Sequence, residues 1–226
     1  MPIADRLARA GRAIEPILNR VVLAGPTAVA LLTNDPSVRI PQMNFTADFV
    51  FQLLSTSMVD RLGLDLQKLG FGRIGRTERA DRWHHADGVT LDLIQVQTDG
   101  STPHELCLEY ATLLTRAVAV GPGVTMRVAG APALLALEFA SFAAGPARAL
   151  ESEELERAIL LIAGRAEIEN ECAAAPPELR SIIASSLARL AATDALSLLV
   201  RRALPDAAML PALGARLRDR IVRMGC

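Results

Sequence analysis

Thr46-Ala47-Asp48-Phe49-Val50-Phe51 is the stretch on which the fold turns. Its aromatic and β-branched content predicts a strand over 46–53. Alternate side chains of a strand share a face, so Asp48 and Val50 project together. A second stretch, Val89-Thr90-Leu91-Asp92-Leu93-Ile94, is also β-branched and aliphatic and carries another aspartate. If the two strands are neighbours, Asp48 and Asp92 form a carboxylate pair at one point of a sheet. If they are not, each is an isolated polar residue and the chain has only a structural or interaction role.

The flanking sequence supplies the rest of an α/β unit. Val21-Val22-Leu23-Ala24 reads as a strand, Gly25-Pro26 as a turn into a short helix over 27–32, and Asn34-Asp35-Pro36 as a break. Ser55 or Thr56 offers an N-cap to a helix through Val59, Leu62, Leu66 and Leu69 that stops at Gly70. A polar stretch follows from Gly72 to Gly88, then the Asp92 strand, a helix over 103–116 and a strand over 124–128. Past Gly130 the texture becomes helical, rich in Ala and Leu. Segments 132–143, 152–163, 177–191, 193–203 and 206–224 are separated by Gly145-Pro146, Gly164, Pro176-Pro177 and Pro205. The expected organisation is α+β: an N-terminal helix over 1–20, an α/β domain over 21–130 and a helical domain over 131–226.

With 226 residues and 51% hydrophobic content, the chain can bury a sizeable core. A net charge of −1 excludes a domain-wide basic field, so any polyanion site is local. Nucleic-acid binding therefore stays open. Only Lys68 of the 24 basic residues is a lysine, a bias ascribed to coding composition. Residues 2–20 place Ile3, Leu7, Ala10, Ile14, Ile17 and Leu18 at helical spacing, with Arg6, Arg9 and Arg12 between them, as in an amphipathic surface helix. No run approaches the roughly 18 apolar residues of a membrane span, which sets the expectation of a soluble cytoplasmic protein without a membrane partner. Cys107, Cys172 and Cys226 match neither a disulfide framework nor a zinc motif, and Cys107 reads as core.

Metal-dependent nucleotidyl transfer clusters carboxylates because their oxygens hold magnesium, which binds the triphosphate and offsets charge in the transition state. Such a strand carries a second acid two residues after the first, and here that position is Val50. The order of several further motifs is also informative. Val22-Leu23-Ala24-Gly25-Pro26-Thr27 precedes the Asp48 strand, Leu69-Gly70-Phe71 closes the next helix, and Arg82-Trp83 stands before Gly88-Val89-Thr90-Leu91-Asp92-Leu93. Met126-Arg127-Val128 precedes Pro132-Ala133-Leu134-Leu135, and Gly164-Arg165-Ala166-Glu167-Ile168 follows a helix opened by Ser152.

From about residue 20 to the end, this order resembles the nucleotidyltransferases of the abortive-infection (AbiEii-like) toxin group, a branch of the polymerase-beta-like superfamily. The resemblance implies a nucleotidyltransferase-like mixed sheet with helices, followed by a helical domain. It implies Asp48 and Asp92 as catalytic, metal-binding residues for Mg2+ or Mn2+, with Gly25, Thr27, Arg82 and His84 near a nucleoside triphosphate. The reaction implied moves a nucleotide to an RNA, protein or small-molecule hydroxyl, and the partner class is an antitoxin or another protein. Four positions depart from the group's pattern. Pro26 removes a backbone N–H from the glycine turn, Val50 replaces the second acid, Glu138 replaces a lysine, and Arg157 replaces the last acid of the helix that carries Glu154 and Glu156. The expectation is a degenerate or repurposed site, unless Glu138 or Glu154 supplies the missing carboxylate.

Other polar groups receive plainer readings. His84 and His85 are adjacent, so on an extended chain they face opposite ways, and a structural or surface role is favoured over metal binding. A narrower alternative has one of them on a nucleotide with Trp83 packed beneath. Arg73, Arg76, Arg79 and Arg82 recur every third residue and suit either an anion-contacting loop or a solvated connection. Arg216, Arg218, Arg220 and Arg223 fit an ordinary amphipathic helix, and the acids at 151, 153, 154 and 156 suit a helix N-terminus.

Overall fold

The computed structural model describes residues 3–40, 47–52, 56–76, 80–96, 101–144, 152–192, 195–204 and 211–225. The two aspartate strands lie side by side. Strands β1 (Val22–Ala24), β2 (Ala47–Gln52), β3 (Phe71–Arg76), β4 (Ala80–His85), β5 (Thr90–Val96), β6 (Thr115–Gly121) and β7 (Val124–Ala129) form a seven-stranded sheet in the order β3-β4-β5-β2-β1-β7-β6. β2 runs parallel to β5 and antiparallel to β1, and β1 runs parallel to β7. β4 is antiparallel to both β3 and β5, and β6 to β7, so the sheet is mixed.

Register divides the sheet residues between two faces. Leu23, Phe49 and Leu93 are aligned across β1, β2 and β5, and Leu91 is aligned with Trp83 of β4. All five are buried on one face. Helix α1 (Ile3–Ala13) is followed by α2 (Gly25–Leu32), α3 (Thr56–Lys68) and α4 (Pro103–Leu113). α3 comes close to Trp83 at Gly63, where a Cβ would stand 3.5 Å from the indole ring. α4 packs against β1, β2, β5 and β7 and buries Cys107, Leu108 and Ala111. Its start is secured by a capping box between Thr102 and Glu105.

The N-terminal helix buries Leu7 and Ala10 and lies on the β6–β7 hairpin. Gly11 permits the approach, since a Cβ there would come within 2.5 Å of Val124 and 2.7 Å of Met126. The helix does not continue to residue 20 as one element. Pro16 lies at the start of a 3-10 turn, Glu15–Arg20, where its lack of an N–H and its ring end the α-helical ladder. The polar stretch after Gly70 forms the β3–β4 hairpin rather than a loop. Its residues are largely exposed, so they lack the apolar alternation of a half-buried strand. The helix expected over 103–116 ends at Leu113, and the half-exposed residues after it form β6.

Contact density separates one compact unit, Met1–Leu31 with Met43–Gly130, from a second, Leu32–Gln42 with Ala131–Cys226. The second contains α5 (Ala131–Ala144), α6 (Glu153–Gly164), α7 (Ile168–Ala173), α8 (Pro177–Ala191), α9 (Ala195–Ala203) and α10 (Pro211–Met224). α5 is apolar nearly all round and packs against α6, α7 and α8 as the buried helix of the unit. Residues 32–42 join this unit where the N–H groups of Asn34 and Asp35 donate to the Gly164 carbonyl at 2.7 and 2.9 Å. Among the described residues, no single helix is long and apolar enough to cross a membrane.

Charges inside the helical unit are paired. Arg220 of α10 donates to Glu169 at 2.8 Å and to the carbonyls of Ile162 and Ala166 at 2.9 and 2.8 Å, and Arg223 donates to the same Glu169. These two arginines tie α10 to α6 and α7, in keeping with an ordinary amphipathic helix. Glu138 of α5 is only 4% exposed and takes Arg157 Nε at 3.0 Å from each carboxylate oxygen. Burial pushes the Glu138 carboxyl up to about 7 against the opposing pull of Arg157.

Two consequences are measurable. Between its ordinary value and about 7, folded Glu138 keeps a proton that the unfolded chain releases, so its contribution to stability falls as pH rises through that window. Denaturation curves should show the wild type losing on the order of 1–3 kcal/mol relative to Glu138→Gln between about pH 5 and 7. Arg220→Ala leaves Glu169 to Arg223 alone and removes the donor to two carbonyls, and should lower unfolding free energy by about 2 kcal/mol in urea titrations.

Candidate functional site

On the face of the sheet opposite Phe49 and Trp83, the register brings together Asp48 and Asp92. Asp48 of β2 is directly aligned with Asp92 of β5, in a run that also pairs Ala47 with Leu91 and Phe49 with Leu93. The reading in which the two aspartates are unrelated is thereby corrected. Parallel pairing at a strand spacing of about 4.8 Å makes them cross-strand neighbours.

The next strand contributes the counter-charge. Arg82 of β4 is aligned with Asp92 and donates Nε to Oδ1 at 2.7 Å and Nη2 to Oδ2 at 2.6 Å, a two-point fork. The Asp92 side chain is 15% exposed and that of Arg82 53%. The hydrogen bonds to Asp92, then the charges of Asp92 and Asp48, hold the guanidinium above its already high range. Arg73 and Arg76 instead approach Asp81, at 3.8 and 3.7 Å, and Arg79 lies outside the described residues. The every-third-residue spacing therefore does not form one anion-contacting row.

The glycine turn supports Asp48 from the other side. Ala24 at the end of β1 is aligned with Asp48, and Gly25 opens α2 with φ of +63°. A Cβ on Gly25 would run into Asp48 Oδ2, so this glycine is needed both for the turn and for the close approach of the carboxylate. Thr27, one turn into the helix, is 2% exposed. Val50 shares the face of Asp48, is aligned with Val22 and Ile94, and is fully buried. It offers carbon where a second acid would offer oxygen.

His84 lies on the Arg82 face, exposed, with Nδ1 3.1 Å from the Thr90 hydroxyl. His85 faces the other way, packs its ring 5.0 Å from that of Phe71, and accepts the Asp87 N–H at 3.2 Å. The two histidines do not converge. Trp83 is buried on the face opposite Arg82, with no hydrogen-bond partner for Nε1 among the described residues.

Against a catalytic magnesium centre, these residues set a tied carboxylate and a hydrocarbon. Such a centre needs several hard oxygens in near-octahedral order, whereas here Arg82 engages both oxygens of Asp92 and Val50 supplies none. No group of three or more His, Cys, Asp or Glu able to hold a metal occurs among the described residues. The other candidate carboxylates have partners inside the helical unit. Glu138 is held by Arg157, and Glu154 accepts the Ser152 hydroxyl at 2.8 Å and lies 3.6 Å from Arg157. Glu138 and Arg157 are thus partners, one ion pair between α5 and α6. Composition at two distant positions gives no sign of that pairing.

The helical unit has a groove of about 680 Å³ between α7, α8 and α10, lined in part by Cys172, Arg180 and Ser181. Burial pushes the Cys172 thiol up to about 12, and likewise that of Cys107 in α4, so neither is a poised nucleophile.

No protein-family model and no curated protein sequence matches the chain. Among solved structures, it is similar to an antigenic nucleotidyltransferase-like protein from Paracoccidioides brasiliensis, at 17% identity and a TM-score of 0.52 over 87% of this chain and 91% of that one. The antibiotic-resistance factor ANT(2'')-Ia follows at 14% identity and a TM-score of 0.49, over 84% of this chain and 93% of that one. The Bradyrhizobium diazoefficiens CD-NTase CdnG, in complex with GTP, gives 14% identity and a TM-score of 0.32 over 98% and 83%. The first likeness shows a nucleotidyltransferase-like fold; the other two are too loose to carry chemistry to this chain.

Gly25 provides the local test. Gly25→Ala combines positive φ with a collision at Asp48 and should lower stability by about 1–3 kcal/mol in thermal and urea melts. Gly72, aligned with His84, has open space where a Cβ would stand. Gly72→Ala should stay within about 0.5 kcal/mol of the wild type.

Proposed function

We propose that this nucleotidyltransferase-fold protein has an incomplete metal site, binds a nucleotide or a protein partner, and has weak or no standard transferase activity. The observation that carries this reading is the Arg82 fork on Asp92 beside a fully buried Val50. Catalytic metal sites rest on several charge-assisted contacts at once, and loss of a few kcal/mol from the barrier slows turnover on the order of a hundredfold or more. The in-register aspartates favour a second reading, an active metal-dependent enzyme moving a nucleotide to an RNA, protein or small-molecule hydroxyl. The motif order supports assignment to the abortive-infection toxin branch, where the partner would be an antitoxin and the compartment the cytoplasm.

Calorimetric titration with each nucleoside triphosphate, with and without magnesium or manganese, separates the two readings. The incomplete-site reading expects the same heat with and without metal. Binding that requires metal and disappears in Asp48→Ala/Asp92→Ala would establish the active enzyme instead.

A further inference from the structure

Arg82 distinguishes this sheet face from a plain pair of carboxylates. It reaches Asp92 from the adjacent strand and presents a planar fork that matches both carboxylate oxygens at 2.7 and 2.6 Å. Asp48 stands in register on the far side of Asp92, close enough for its charge to act on the same guanidinium. A divalent cation approaching the pair therefore meets a positive charge already hydrogen-bonded to one of its two ligands. To bind, it must break a charge-assisted contact and accept the repulsion of the displaced group.

We propose that Arg82 is the resident cation of this site: its guanidinium neutralises the Asp48–Asp92 pair and keeps divalent metal off the sheet. This rests on the incomplete-site reading and adds the residue responsible. Arg82 is a positioning residue in this role, since it acts through Asp92. Its own side chain is half exposed and adds little to the apolar core.

The test uses the full chain and Mn2+ alone, with the free-ion signal followed by electron paramagnetic resonance. Circular dichroism melts accompany each variant. Arg82→Gln should bind one Mn2+ at least about tenfold more tightly than the wild type, and Arg82→Gln/Asp92→Asn should return to the wild-type level. If neither the wild type nor Arg82→Gln binds Mn2+, Arg82 is not what excludes the metal and this inference falls. The incomplete-site reading then stands, because Val50 alone accounts for the result. One Mn2+ held by the wild type at low micromolar concentration and lost in Asp92→Asn overturns both. Should Arg82→Gln unfold, Arg82→Lys takes its place; it keeps the charge, abandons the fork, and should gain Mn2+ affinity to a smaller extent.

Discussion

Two carboxylates on adjacent strands repel each other, and the sheet places Asp48 and Asp92 opposite one another. The Arg82 fork on Asp92 opposes that repulsion. The same contact gives the β3–β4 hairpin a polar anchor to β5, while Trp83, the next residue, supplies the apolar anchor on the opposite face. An exposed edge hairpin with few apolar side chains is thus held from both faces through two consecutive residues.

The close fit around Asp48 follows from the same arrangement. Gly25 meets the carboxylate from the start of α2, Val50 fills the next position on that face of β2, and Asp92 lies across from it. Each neighbour is either a missing side chain, a hydrocarbon or a charge. Space, packing and electrostatics are all engaged at one residue, which makes the position intolerant of change whether or not it performs chemistry.

The helical unit treats its charges by the same rule. Glu138, deep in α5, is met by Arg157; Glu169 is met by Arg220 and Arg223; Arg165 forks onto Glu171 at 2.6 and 3.1 Å. A buried charge without a partner is far more costly than a paired one. Glu138 and Arg157 stand 19 positions apart in the chain and are the two ends of one ion pair, a relation that neither residue shows alone.

The strands around Asp48 and Asp92, the absence of a carboxylate at position 50, the helical texture after Gly130 and the burial of Cys107 are legible from the residues alone. Those features are local: periodicity, turn residues and side-chain chemistry are read within a few positions. The sequence did not reveal β3, β4 and β6, because strands exposed at or near a sheet edge carry little apolar alternation. Only the tertiary structure decided that Asp48 faces Asp92 in register, that Arg82 among the spaced arginines reaches that pair, and that Glu138 belongs to Arg157. Those pairings join residues 44, 10 and 19 positions apart on different elements, and strand order and helix packing select them, not the residues on either side.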